Sequence, residues 1–260
     1  MSPAPSKPVR ILVLVMIVVV ITGILIARSY YGNINRASDS RISHARELYS
    51  QYDQVAREGN FYELFQLLDS IELIYKATDH YKASYETGVL ENNRAASFLT
   101  IALYGDSIAR ENNPYFNFTS DSLVEIAKTH ALKAITIYES WSLDYEELDE
   151  EGISDVIRPG FVLGFAEKEP GELEKIIENR VQEILTAMDE NDRRLSVCRT
   201  NLGVIYRQEG SYLEAVEQYE LAIKLWDRNL DAENNLNKLL NKPLKKRTLI
   251  QKLFPPEREE

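Results

Sequence analysis

Between Thr200 and Asp227 the chain reads TNLGVIYRQEGSYLEAVEQYELAIKLWD, two stretches of helical periodicity joined by Glu209-Gly210-Ser211. Ala215, Tyr219 and Ala222 fall four and three residues apart, so one helical face carries small, large and small side chains in turn. Small residues let helices approach closely, and an aromatic ring fills the hole left around them. A contact surface graded in this way, with so short a turn, specifies an antiparallel helix hairpin.

The remainder of the body repeats the theme. Glycine and proline are sparse, 11 and 9 in 260 residues, which favours helices over many short strands. Ile42, Ala45, Leu48, Tyr49, Tyr52, Val55 and Ala56 recur at helical spacing until Glu58-Gly59-Asn60 breaks them. A second helix is expected from Phe61 to about Thr78, with Leu64, Leu67, Leu68, Ile71 and Ile74 on one face. Separate segments follow at about 82–90 and 94–110. ENNPYFNFTSDS then reads as a loop, with Ser120 or Asp121 capping a helix over about 123–141. Asn117-Phe118-Thr119 has the form of a glycosylation acceptor and is read as a turn. From Asp144 to Gly171 an acidic run passes into a Gly-Pro punctuated apolar one, a pattern that predicts a loop inserted in the helical array. Its carboxylates lack the spacing of a helix-loop-helix calcium site and read as a solvated charge run. Helices resume over about 172–189, 193–208, 211–227 and 231–240.

The graded stretch resembles the tetratricopeptide repeat. Leu202-Gly203 and Tyr206 match its first helix, Gly210 its turn, and Ala215, Tyr219 and Ala222 its second helix. Arg199 stands in place of the usual Trp and Asp227 in place of the usual closing Pro. The match covers 196–229. REGNFYELFQLLDSI repeats the turn and second-helix spacing, with Leu64, Leu68 and Ile71 at the equivalent places, and Ala127, Ala131, Ala134, Ile135 and Tyr138 repeat the second-helix pattern. Such units bury their faces only by stacking. The resemblance therefore implies an all-α solenoid of antiparallel helix pairs. Degenerate repeats fill 41–142, an insertion 143–171, and a repeat-containing region 172–241. It further implies a concave groove, lined by first helices, that receives a segment of a partner protein.

A different solvent is written into the start of the chain. Ile11 to Ala27 is uncharged, and about 25 Å of helix of this length is near the lower limit for spanning a bilayer. A basic tail 1–10, a transmembrane helix 11–28 and a linker 29–40 are expected. A cleaved signal peptide is the competing reading, for which Ala27-Arg28-Ser29 is a poor cleavage site. The short basic tail predicts that the body lies on the far side of a bacterial inner membrane, in the periplasm. A basic tail over 242–260 carries interleaved apolar residues, Leu244, Leu249, Ile250, Leu253 and Phe254. It can lie on an anionic bilayer or in a partner's groove, or simply be solvated.

Charge limits the partners. The formal net charge is -11, and all 41 acidic residues follow Ser29, which argues against nucleic acid. Cys198, the sole cysteine, reads as a small buried residue. No nucleophile elbow, phosphate loop or histidine pair at metal spacing occurs. His44, His80 and His130 are far apart in sequence, and Glu125, Glu214 and Glu217 suit exposed helix faces. No catalytic, cofactor-binding or metal-ligating residue is singled out. The expectation is a membrane-anchored scaffold or assembly factor that binds protein and is not an enzyme. The alternatives are an enzyme or ligand-sensing subunit that uses 143–171 as a lid, and self-association through the array.

Overall fold

A computed structural model describes residues 38–247. The apolar run 11–28 and the tail beyond 247 lie outside the described residues. Among those described, no helix is long and apolar enough to cross a membrane, and there is no strand.

The architecture is all-helical. In chain order α1 is Ser43–Glu58, α2 Phe61–Ala77, α3 Tyr85–Tyr104, α4 Ser120–Leu143, α5 Glu150–Gly164, α6 Pro170–Asp189, α7 Asn191–Gln208, α8 Tyr212–Leu225 and α9 Leu230–Leu239. Helices pair as hairpins, α1 with α2, α3 with α4, α5 with α6 and α7 with α8, and α9 packs on α8.

Two of the turns share a mechanism. Gly59 and Gly210 adopt φ of 68° and 79°, the left-handed region that costs a glycine nothing. After Gly59 the Asn60 side chain accepts a bond from Glu63 N at 3.2 Å and starts α2. The Gly-turn correspondence between the two stretches therefore extends to backbone geometry. Leu64, Leu68 and Ile71, and likewise Ala215, Tyr219 and Ala222, are buried.

The sequence expectation fails at 143–171. Fifteen of these residues form α5, because Asp149 caps it by accepting from Gly152 N at 2.9 Å and Glu150 and Glu151 complement the dipole of its first turn. Ile153, Ile157 and Phe161, four residues apart, supply the buried face. Pro159 removes the backbone donor that would meet Asp155, but both residues are exposed, so the freed carbonyl is not buried without a partner. The acidic run is thus a helix start, and the departure from the repeat pattern is a whole hairpin, α5/α6. Sequentially, α7 follows α6. Spatially, α7 packs on α4, so the stack runs from α3/α4 to α7/α8 with α5/α6 set aside.

Two smaller expectations also change. The segments expected at 82–90 and 94–110 share one continuous helix, α3, that ends at Tyr104, since Glu91, which interrupted the apolar pattern, is buried and paired with Lys133 and with Arg94 one turn on, and Arg94 in turn reaches Glu72. Thr119, not Ser120 or Asp121, caps α4, accepting from Ser122 N at 3.2 Å.

Two apolar cores result. The larger joins α1, α2, α3, α4 and the inner face of α7. The smaller joins Trp141 and Tyr145 to the α5/α6 hairpin, and Tyr85 packs at the margin of both.

Candidate functional site

A cleft of about 580 Å³ opens where the first helices of three hairpins meet α6. Arg46 and Tyr49 come from α1, Tyr85, Glu86, Val89 and Asn92 from α3, and Arg193, Arg194 and Val197 from α7. Tyr75 and Tyr138 reach in from the second helices α2 and α4, and Glu183 and Glu190 close one side. First helices supply this wall because their other faces are committed to α2, α4 and α8.

The floor is aromatic and the rim is charged. Asn93 Nδ2 donates to Tyr49 Oη at 3.2 Å, and the Tyr49 and Tyr52 rings stack 5.7 Å apart. Arg46 binds both oxygens of Glu183 at 2.7 Å and so ties α1 to α6. Arg194 holds the end of α6, donating to Ala187 O at 2.8 Å and to Glu190 at 2.7 Å, while its guanidinium lies 4.9 Å from the Tyr85 ring centre. Arg193 lies over Trp226 at 5.1 Å. Across the stack, Asn201 of α7 donates to Asn92 of α3 at 2.9 Å.

Behind this wall Arg180 is fully buried. It binds Glu86 at 2.5 and 3.2 Å and Glu183 at 3.0 Å, and its Nε donates to His80 Nε2 at 2.9 Å. Burial opposes the charge on Glu86, but the guanidinium of Arg180 outweighs it and holds the carboxyl below the usual range. Burial and then the Arg180 charge push His80 down to about 3, so it stays a neutral acceptor. This cluster locks α6 to α3 and to the turn before α3, and so sets the width of the cleft.

A second ionic cluster lies on α3 and α4. Burial opposes the charge on Glu91, yet bonds from His130 at 2.5 Å and Lys133 at 2.6 Å hold it down at about 2. Arg94 extends the cluster to Asp69 at 2.8 Å and Glu72 at 2.7 Å on α2. Its members join three helices of the stack and none lines the cleft.

The three histidines are thus dispersed: His44 sits on the surface beside Glu47, His80 lies behind the cleft, and His130 pairs with Glu91. Among the described residues no group of three or more His, Cys, Asp or Glu is arranged to hold a metal ion. Cys198 is buried. The sequence singled out none of these as cleft residues, although Tyr49 and Tyr138 were legible as parts of the α1 and α4 stripes. The available signal was the aromatic and polar residues that first helices carry outside their buried set, as Tyr49 and Asn92 do.

No protein-family profile, curated protein or solved structure matches the chain.

Proposed function

We propose that this protein is a membrane-anchored scaffold of tetratricopeptide type that holds a segment of a partner protein in the cleft between α1, α3, α7 and α6. The observation that carries the reading is the cleft itself, lined by first helices of separate hairpins, with an aromatic floor to which Tyr75 and Tyr138 of second helices contribute, and rimmed by cations and carboxylates. Support for the repeat type comes from the burial of Leu202, Ala215, Tyr219 and Ala222 and from the shared glycine turns. Apolar side chains of a partner segment displace water from Tyr49, Val89 and Val197, and its polar backbone meets the rim. The uncharged run 11–27 serves as the anchor, with the helical body on the periplasmic side of a bacterial inner membrane.

A photoreactive amino acid placed at Val197 or at Tyr49 in native membranes tests this. Both positions are expected to yield one and the same adduct, identified by mass spectrometry, and Leu73 on the far side of α2 is expected not to. Val197→Asp should weaken retrieval of that protein by about tenfold or more. Adducts absent from both cleft positions, or equal from Leu73, overturn the proposal.

A further inference from the structure

Helix α9 is the one α-helix among those described that has no hairpin partner. It packs on α8 and touches α7, Ala232 is its single buried side chain, and neither apolar core includes any of its residues. A helix of 10 residues is marginal in water without tertiary support. Arg207 Nη1 of α7 donates to Asn235 Oδ1 at 3.1 Å, and the Asn229 cap holds the first turn. A further hold comes from the chain that leaves α9.

That chain turns back on the helix. Asn241 takes the left-handed conformation at φ 53°, and Lys242 N donates to Asn237 O at 2.8 Å, which closes the helix end. Residues 243–247 then form neither helix nor strand, yet two of them are fastened. Lys245 commits both its backbone groups to one side chain: its N–H donates to Asn234 Oδ1 at 2.7 Å, and its carbonyl accepts from Asn234 Nδ2 at 3.0 Å. The Lys245 ammonium pairs with Glu233 at 2.6 Å, and the Arg247 guanidinium donates to the Arg228 carbonyl in the turn before α9. The segment that departs from the C-terminal end of α9 is thus tied to its first turns.

These fastenings are unequal. The Lys245 side chain is 61 % exposed, where an ion pair contributes little. An amide whose acceptor and donor are both engaged by one residue fixes the place and direction of the backbone, which a point charge does not.

We propose that residues 242–247 are a strap that latches α9 onto the array, with Asn234 as its positioning residue, so that the C-terminal end of the stack opens and closes as a unit separate from the α7/α8 hairpin. Opening uncovers the face of α8 that α9 covers. No residue of α9 or of the strap lines the cleft, so the latch stands whatever the cleft holds.

Hydrogen exchange of the full chain, read by mass spectrometry on fragments from α9 and α8, tests this. Alanine is a better helix former than asparagine, so Asn234→Ala slows exchange in α9 if the helix is held by its own propensity. A latch predicts the opposite sign: exchange across Leu230–Leu239 about tenfold or more faster, with Tyr212–Leu225 unchanged, and earlier tryptic cleavage after Lys245 and Lys246. Lys245→Ala keeps the backbone groups and loses only the ammonium, so it should speed α9 exchange by less than about threefold. Unchanged or slower exchange in Asn234→Ala overturns the latch. Equal acceleration by the two substitutions overturns the role of Asn234 and assigns the hold to the ion pair. Acceleration that spreads through α8 into α7 overturns the separate opening, because the end then unfolds together with its neighbouring hairpin.

Discussion

Tyr219 of α8 lies against Gly203 of α7 so closely that a Cβ on Gly203 would fall 2.5 Å from Cε1 of its ring. The same device recurs in another hairpin, where a Cβ on Gly88 of α3 would meet Tyr138 Cε1 of α4 at 2.9 Å. The two contacts stand at different heights. Gly203 is near the turn of its hairpin and Gly88 near the open end, so the close approach belongs to the size pairing and not to a fixed repeat position.

Alanine at Gly203 gains about 1 kcal/mol of helix propensity but must displace a fully buried ring, which costs about 1–3 kcal/mol. Because 2.5 Å is well inside contact distance and the opposing atom is a packed aromatic, the loss prevails. Gly203→Ala should lower stability by about 1–2 kcal/mol, and Gly88→Ala by less. Gly160→Ala, with no atom within 4 Å of the added Cβ, should raise it by about 0.5–1 kcal/mol. Denaturant unfolding of the full chain, followed by circular dichroism, reads all three.

Hairpins and their glycine turns were legible from the sequence because local spacing determines them: Gly59 and Gly210 each end a helical stripe, and Leu64 or Ala215 begins the next. Helix α5 was not. Pro159, Gly160 and Gly164 signalled a break, and only burial of Ile153, Ile157 and Phe161 against α6 overrides that local signal. The cleft was invisible for a related reason. Its wall needs α6 beside α1, a relation held by Arg46 and Glu183 across 137 residues, and no local pattern encodes a pairing at that separation.

The handover from α8 to α9 predicts a second sensitive position. Asn229 Nδ2 donates to Ser196 Oγ at 2.8 Å and Thr200 Oγ1 at 2.9 Å, and its Oδ1 accepts from Ala232 N at 3.0 Å, capping α9. All of this is buried. Asn229→Ala loses the cap and both donated bonds and should cost about 2–4 kcal/mol. Asn229→Asp keeps the cap oxygen but places a carboxylate against hydroxyls that already donate to Ala222 O and Ser196 O. It should be at least as unstable at neutral pH, again by denaturant unfolding.

Cys198 should be silent in the folded protein. Burial pushes its thiol up to about 12, and the thiolate is the reacting species. A thiol-specific chromogenic reagent at mildly alkaline pH should release no colour from the native chain and one equivalent in denaturant. Appreciable reaction without denaturant would show that the α7 contact with the core opens readily.

Acid should loosen the hinge of the cleft through His80. In the unfolded chain this imidazole takes up a proton below its ordinary value of 6.5. In the folded chain it stays neutral down to about 3, since burial and the neighbouring Arg180 disfavour its cation. Between those limits the unfolded state binds the extra proton, so stability contributed above 6.5 is withdrawn as pH falls, at up to about 1.4 kcal/mol per pH unit. Glu86 adds a separate loss at lower pH, because its carboxyl is held below the usual range and protonates first in the unfolded chain. Glutamine at 80 can still accept from Arg180 Nε but does not titrate. His80→Gln should therefore keep most of the stability at pH 7 and show a clearly shallower decline between pH 6.5 and 4.5, measured as unfolding midpoints across that range. Equal slopes for the two proteins would mean that His80 does not hold the neutral acceptor position that fastens α6 to α3.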